Sequence, residues 1–235
     1  MERPKYNIIM EGAKEFSHFY LLMDGEKKII GMNDYKTLYS YPFLYEDLYY
    51  RVLGCKAHLG VKKILENFLH QELIDPETLN FLELGAGSGT FGELLNDIGI
   101  YKVSGLDIFS QAKIAAERDR KNLYQDYFIL DLEKLSENDY FNLKRSNFNS
   151  IISVSATSLI PVKGFENALK LLPKGGIFVC HVRNDIENTN IIVYNWINQI
   201  IEKGIIEEKV RQSCFHRKSI DNRIINAEVI IGVKT

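Results

Sequence analysis

The run Phe-Leu-Glu-Leu-Gly-Ala-Gly-Ser-Gly-Thr-Phe-Gly at residues 81–92 carries the strongest chemical signal in this 235-residue sequence. An apolar, strand-like stretch ends there in Gly85, Gly87 and Gly89, with the acid Glu83 just ahead of them and Ala86 within the turn. Glycines let the backbone turn sharply and let a ligand approach closely, because no Cβ intervenes. The run therefore predicts a binding turn between a strand and a helix.

Two more acids follow predicted strands. Asp107 ends the run Gly-Leu-Asp after the second strand, and Asp131 follows Phe-Ile-Leu after the third. The carboxyl ends of parallel strands form the ligand-binding edge of an open sheet, where a carboxylate after the second strand accepts hydrogen bonds from ribose hydroxyls. The spacing of Glu83, Asp107 and Asp131 is the most specific feature of the sequence, and it indicates a nucleoside ligand.

The glycine turn also contains a G-x-G-x-x-G pattern from Gly87 to Gly92, which is typical of NAD(P) sites. Asp107 suits either kind of nucleoside. A carboxylate at Glu83 would repel a pyrophosphate and favours a cationic ligand. An NAD(P)-dependent oxidoreductase is therefore the alternative hypothesis.

The run from Glu83 to Gly89 resembles motif I of class I, Rossmann-like methyltransferases, E/D-x-G-x-G-x-G, in every defined position. The fourth-strand run 148–153 and the turn Leu-Pro-Lys-Gly-Gly at 172–176 are also similar to the family, so the resemblance covers about residues 79–183. It implies S-adenosylmethionine (SAM) as the methyl donor and S-adenosylhomocysteine (SAH) as the product. A protein of this fold that binds SAM without catalysis is a further alternative.

The resemblance also implies roles for individual residues. Glu83 would help to hold the methionine amino group, directly or through water, Ile108 would present an apolar face to adenine, and Asp131 would hold the adenine amino group. The cofactor-binding residues expected on this basis are Glu83, Gly85, Ala86, Gly87, Gly89, Asp107, Ile108, Asp131, Leu132 and Ser153.

The acceptor is predicted to be a small molecule methylated on O, N or C. Methyltransferases that act on nucleic-acid amino groups or protein glutamine end the fourth strand in D/N-P-P-Y/F, whereas this chain has Ser-Val-Ser-Ala-Thr-Ser from Ser153 to Ser158. The formal net charge is −2, with 29 Lys and Arg against 31 Asp and Glu, so no basic excess points to nucleic acid. The basic stretch Arg118–Lys121 is interpreted as the solvated end of a helix.

Candidate acceptor-side residues come from two places. His181 ends the fifth predicted strand, where it would be either a general base or a structural, hydrogen-bonded histidine. Aromatic residues crowd positions 35–50, and Tyr39, Tyr45 and Tyr49 are predicted to contact the substrate as part of a lid. Packing of the N-terminal helices onto the sheet is the other interpretation of the tyrosines. His58 is interpreted as a partly exposed helix residue.

The elements that would position these residues form an α/β fold. Alternating strand and helix patterns predict a doubly wound, mostly parallel seven-stranded sheet. Its strands are expected near 79–84, 101–106, 124–130, 148–153 and 176–182, followed by an antiparallel hairpin of 207–215 and 224–233 with its turn at 216–223. Helices are expected near 91–98, 110–119, 165–172 and 191–203.

The first 78 residues have a different character. Apolar residues at three- and four-residue steps predict an amphipathic helical segment from about 46 to 71, in which Gly60 is the expected break. The chain is accordingly divided into an N-terminal helical cap, residues 1–78, and a SAM-binding domain, residues 79–235.

Composition limits the remaining possibilities. Cys55, Cys180 and Cys214 form no C-x-x-C pair, which argues against a disulfide framework and a metal site and favours a reducing cytoplasm. The sequence contains no run of about 18 apolar residues, so no membrane span is predicted. The sequence does not predict the oligomeric state.

Overall fold

The computed structural model describes residues 4–10, 17–183, 190–218 and 224–235, and it begins with a small sheet that the sequence analysis did not predict. Its antiparallel strands are β1 (Asn7–Ile9), β2 (His18–Met23) and β3 (Glu26–Gly31). Asp24 and Gly25 join β2 to β3 with φ of 51° and 81°. Positive φ at both central residues, in the order Asp-Gly, is the signature of a type I′ hairpin turn. This dipeptide was the signal in the sequence for the hairpin.

Helices follow, but not as one amphipathic segment. They are α1 (Tyr35–Ser40), α2 (Leu44–Glu46), which continues as a π-helical stretch (Asp47–Val52), and α3 (Ala57–Gln71). The predicted break at Gly60 was wrong, because the chain leaves the helix near Gly54, where φ is 64°, and Gly60 lies inside α3. A Cβ on Gly60 would lie 2.9 Å from the Cβ of Cys214, so Gly60 allows α3 to approach the C-terminal hairpin.

The predicted seven-stranded sheet is confirmed. In chain order its elements are β4 (Asn80–Leu84), α4 (Thr90–Asp97), β5 (Lys102–Asp107), α5 (Ser110–Asp119), β6 (Tyr127–Ile129), α6 (Glu137–Arg145), β7 (Ser150–Ser153), α7 (Val162–Leu169), β8 (Ile177–Val182), α8 (Asn190–Glu202), β9 (Ile206–Lys218) and β10 (Ile224–Lys234). The strand order is β6-β5-β4-β7-β8-β10-β9. Strand β10 runs antiparallel to both β8 and β9, and the other neighbouring pairs are parallel.

This strand order explains where a ligand would bind. The chain moves outward from β4 to β5 and β6 and then returns to the other side of β4 with β7, so the order reverses beside β4. A crevice opens at the carboxyl ends of the strands at such a reversal. The glycine turn follows β4 at that point.

The C-terminal hairpin is longer than predicted. Strand β9 continues to Lys218, so His216 and Arg217 belong to the strand rather than to the turn. The rest of the predicted turn, residues 219–223, lies outside the described residues.

Among the described helices, none combines the length and the apolar character needed to cross a bilayer.

Apolar side chains cover both faces of the large sheet. One cluster includes Phe165, Phe178 and Trp196, and the other includes residues of α3 such as Phe68. The first half of the N-terminal region has its own cluster, in which β2 and β3 pack against α1 and α2. Residues 6–10 and 17–53 therefore form the part of the N-terminal region with a separate apolar centre, whereas α3 packs on the sheet.

Candidate functional site

The glycine turn takes the conformation that its sequence requires. Gly85, Gly87 and Gly89 have φ of 71°, 54° and 90°, in the left-handed region that favours glycine. A Cβ on Gly85 would collide with the Cβ of Ala156, and a Cβ on Gly87 would lie 2.6 Å from the hydroxyl oxygen of Tyr39. The turn is thus closely packed against the loop after β7 and against α1.

Asp107 connects this turn to the end of β5. Its Oδ2 accepts a hydrogen bond from the backbone N–H of Gly87 (3.0 Å), and its Oδ1 accepts one from that of Phe109 (3.0 Å). The side chain is buried, and burial raises the pKa of Asp107, although the backbone hydrogen bonds favour the ionised form. Each carboxylate oxygen keeps a lone pair for a further donor.

A cavity of about 250 Å³ opens beside Asp107, and it is called the larger cavity below. Gly85, Ile108, Asp131 and Leu132, all predicted as cofactor-binding residues, lie on its wall with Asp107. Ile108 is apolar and 56% exposed, so its side chain is available to a ligand. Parallel pairing of β4, β5 and β6 brings residues from the ends of these three strands together, as the sequence predicts.

Asp131 also has a structural role. Its Oδ1 accepts a hydrogen bond from the backbone N–H of Glu133 (3.0 Å), which caps the short helical turn Leu132–Lys134, and its other oxygen lies 3.6 Å from Nζ of Lys134. The carboxylate is therefore fixed at the cavity wall by its own loop.

A second, smaller cavity of about 30 Å³ also lies against the glycine turn. Glu83, Ala86 and Gly87 contribute to its wall. The Tyr124 hydroxyl donates a hydrogen bond to Oε2 of Glu83 (2.8 Å). Burial is the main influence on this acid and raises the pKa of Glu83 to about 8.

Three of the predicted residues stand apart from both cavity walls. Ser153 is completely buried at the end of β7, where its Oγ accepts a hydrogen bond from the hydroxyl of Thr157 (3.4 Å). Gly89 precedes α4 and faces Leu123 rather than a cavity. The Tyr49 hydroxyl donates to the carbonyl of Met32 (2.8 Å), and its ring lies behind Tyr45.

His181 is also away from these walls. It is 3% exposed, and neither ring nitrogen has a hydrogen-bond partner among the described residues. Burial, with smaller contributions from His216 and Arg183, lowers the pKa of His181 to about 3, so the ring is neutral at physiological pH. The ring of His216, 5.5 Å away between centroids, is its aromatic neighbour.

The N-terminal region contributes residues that the sequence analysis assigned differently. Tyr39 and Tyr45, two of the predicted substrate-contacting tyrosines, line both cavities, and Tyr35 lines the larger one. Tyr50 and His58 line the smaller cavity and stack with ring centroids 4.0 Å apart. Burial lowers the pKa of His58 to about 4. His58 therefore lines the smaller cavity in addition to lying on a helix, and it does so where it packs against Tyr50.

The interpretation of residues 118–121 as a solvated helix end was wrong for Arg120, whereas Arg118 and Lys121 are exposed. The Arg120 side chain is 3% exposed, and its Nη1 donates to Oε1 of Glu46 (2.8 Å) and to the carbonyl of Ser88 (3.1 Å). The same Glu46 oxygen accepts hydrogen bonds from the hydroxyls of Ser88 (2.8 Å) and Thr90 (3.0 Å). Glu46 and Arg120 therefore fasten the N-terminal region to the glycine turn. The partners are far apart in sequence, so no local pattern indicates them.

The described residues contain no group of three or more His, Cys, Asp or Glu side chains arranged to hold a metal ion.

The sequence matches no known protein-family profile and no curated protein. The fold, however, is similar to solved structures. A SAM-dependent methyltransferase from Anabaena variabilis has a TM-score of 0.54 at 16% identity, covering 86% of this chain and 92% of that one. A provisionally assigned RNA methyltransferase from Pyrococcus horikoshii has a TM-score of 0.54 at 14% identity, covering 76% of this chain and 84% of that one. A structure from the study of thioacetal formation in echinomycin biosynthesis has a TM-score of 0.52 at 12% identity, covering 72% and 81%. This chain therefore has the Rossmann-like α/β fold of class I SAM-dependent methyltransferases.

Proposed function

We propose that this protein is a SAM-dependent methyltransferase that acts on a small molecule. The observation that carries the proposal is the buried carboxylate of Asp107, held by the backbone of the glycine turn at the wall of the larger cavity. A carboxylate in this position accepts ribose hydroxyl hydrogen bonds. The larger cavity falls slightly below the roughly 300–1,000 Å³ typical of ligand pockets, so it suits the nucleoside half of the donor.

The residues present fit SAM. Asp107 would hold the ribose, Ile108 and Leu132 would contact the adenine, Asp131 would accept its amino group, and Glu83 would hold the methionine ammonium. Bound SAM supplies a methyl group already activated on a sulfonium. The protein's own part is then to orient the acceptor and to exclude water. The tyrosines over the cavities suit both tasks, with residues 1–78 acting as a cap on the SAM-binding domain of residues 79–235.

The charge of the cleft favours a neutral or cationic small acceptor over nucleic acid. Acids on the two cavity walls are Glu83, Asp107, Asp131 and Glu133, and among the described lining residues there is no Lys or Arg. A phosphate backbone is normally bound by such basic side chains.

His181 remains a candidate base only through a conformational change that would expose its ring. The free thiols of Cys55, Cys180 and Cys214 support a cytoplasmic location.

Isothermal titration with SAM, SAH and NAD(P) tests the donor without knowledge of the acceptor. We expect SAM and SAH to bind and NAD(P) not to bind. Asp107→Asn should weaken SAM binding by about 10- to 150-fold, as expected for lost hydrogen bonds to a charged group. Asp126→Asn is the matched control, because Asp126 is exposed and lies on neither of the two cavity walls.

The possible outcomes separate the candidate functions. Binding of NAD(P) in place of SAM would favour an oxidoreductase. Tight SAM binding without SAH production across a broad panel of small acceptors would favour a non-catalytic binding protein. Equal SAM affinities of the Asp107→Asn and Asp126→Asn variants would contradict the proposed ribose site.

A further inference from the structure

The two cavities meet at a short stretch of shared wall. The residues that line both are Tyr39, Tyr45, Gly85, Val154 and Ser155. Asp107 and Asp131 lie only on the larger cavity, whereas Glu83 and Gly87 lie only on the smaller one. If the nucleoside occupies the first cavity and the amino-acid end lies toward the second, the atom that links them lies at the shared wall. In SAM this atom is the positively charged sulfur.

The five residues of the shared wall include no Asp, Glu, His, Lys or Arg. Of the five shared residues, the two tyrosines are the only titratable ones, and burial raises the pKa of both well above its usual value. Tyr39 and Tyr45 are therefore neutral rings. A positive charge at the shared wall would lie beside these two rings. The face of an aromatic ring attracts a cation within about 6 Å of its centroid.

The three rings are close neighbours. The centroids of Tyr39 and Tyr45 lie 5.7 Å apart with their planes at 39°. Tyr50, on the smaller cavity, lies 6.0 Å from Tyr45 at 89°, so these two rings form a corner. Tyr39 is fixed by packing against Ala112 and Ala115 of α5.

We infer that Tyr39, Tyr45 and Tyr50 form an aromatic cage that recognises the sulfonium charge of the methyl donor. The inference rests on the proposed function and goes beyond it, because it gives the N-terminal region a role in distinguishing substrate from product. SAM carries the positive charge, whereas SAH is a neutral thioether. The cage therefore strengthens the binding of SAM relative to SAH.

Packing alone makes a different prediction. Rings that only support the cavity wall would contribute equally to the binding of SAM and SAH, because the two ligands differ by one methyl group and one charge. The ratio of the two affinities, rather than either affinity alone, reports the cage.

The experiment is isothermal titration of SAM and SAH with a series of variants at position 45. The series begins with Tyr45→Phe and continues with phenylalanines that carry increasing numbers of ring fluorines. Fluorine withdraws electron density from the ring face and changes its shape little, so the series keeps the packing of the ring, whereas Tyr45→Leu would remove it. The same series at Tyr49 is the control, since that ring neighbours Tyr45 at 4.7 Å but lies on neither cavity wall.

Tyr45→Phe is the reference of the series, because it removes the hydroxyl and keeps the ring face. We expect the variant with the most fluorinated ring to bind SAM about 5- to 30-fold more weakly than Tyr45→Phe, corresponding to about 1–2 kcal/mol, with nearly the same SAH affinity. The Tyr49 series should leave the affinity ratio unchanged.

Equal changes for SAM and SAH, or no trend with fluorination, would overturn the cage while leaving the methyl-donor site intact. Failure of the unmodified protein to bind either ligand would instead remove the proposed function and the cage together.

Discussion

Replacing Arg120 with Met is expected to destabilise the folded protein strongly, because it leaves the carboxylate of Glu46 buried without its cationic partner. Only 3% of the Arg120 side chain and 6% of the Glu46 side chain are exposed. Two hydroxyl donors, those of Ser88 and Thr90, would remain on Glu46. Neither carries a charge that would offset the lost guanidinium.

The size of the effect follows from this burial. Removing one partner of a buried ion pair costs about 3–5 kcal/mol, out of a total stability of about 5–15 kcal/mol for a typical domain. At about 2–4 °C per kcal/mol for a chain of this length, the melting temperature should fall by about 6–20 °C. Glu93 also pairs with Arg120, but it is half-exposed, so the loss of this pair adds little.

Thermal and urea unfolding of four proteins would measure the effect: the unmodified chain, Arg120→Met, Glu46→Gln and the double variant. Gln at position 46 keeps an acceptor for the two hydroxyls and removes the charge, so the double variant should be more stable than Arg120→Met alone. Lys62→Met is the control, because the pair of Lys62 with Asp97 is partly exposed and such pairs contribute about 1 kcal/mol or less. A loss for Arg120→Met no larger than that for Lys62→Met, or a double variant less stable than Arg120→Met, would refute the reasoning.

Three further predictions concern the turn, the buried acid and the buried histidine. Gly87→Ala should weaken SAM binding in titration, because its Cβ would meet the Tyr39 hydroxyl at 2.6 Å, whereas Gly175→Ala, also at positive φ but with open space around it, should not. Burial raises the pKa of Glu83 to about 8, so much of this side chain is protonated near neutral pH. The ammonium group of bound SAM favours the ionised carboxylate, so SAM binding should release a proton. Calorimetry in buffers of different ionisation enthalpy should detect this release, and Glu83→Gln should abolish it. Burial lowers the pKa of His181 from 6.5 to about 3, so the unfolded state binds more protons than the folded state between pH 6.5 and about pH 3. The stability that His181 contributes is therefore fully present above pH 6.5 and declines as the pH falls below 6.5. Urea unfolding should show a loss of about 2 kcal/mol from this residue between about pH 7 and pH 5, and His181→Leu should remove that share; an unchanged pH slope in this variant would contradict the prediction.

The sheet could be predicted because its signals are local. Each strand is a short apolar run, and the acids Asp107 and Asp131 stand directly at strand ends, so the parallel topology alone brings them to one edge. The type I′ hairpin at Asp24-Gly25 was just as local a signal, and its flanking strands are as long as β5 and β8. The long amphipathic pattern from 46 to 71 hid a real break, because three- and four-residue steps continue across Gly54.

Residues whose role depends on distant partners could not be predicted in the same way. Arg120 lies in a run of charged residues, a pattern that normally indicates a solvated surface, and its partner Glu46 is 74 positions away. His58 reaches the smaller cavity because α3 packs on the sheet, and Tyr50, on the preceding π-helical stretch, packs against it there. The burial of His181 likewise depends on the surrounding packing, since the end of a strand is compatible with either an exposed or an enclosed ring.

The packing around the glycine turn changes which residues argue for a ligand. Gly85 gives room to Ala156, and Gly87 gives room to Tyr39, so the absence of a Cβ at each position is required by the chain itself. The glycines alone therefore explain a close-packed turn as well as a binding site. Asp107 is different, because a buried carboxylate beside an open cavity is costly unless a donor or a cation compensates for its desolvation. Two backbone N–H groups supply part of that compensation, and ribose hydroxyls would supply more. The case for a nucleoside thus depends on the acid at the end of β5 more than on the glycines that resemble a binding motif.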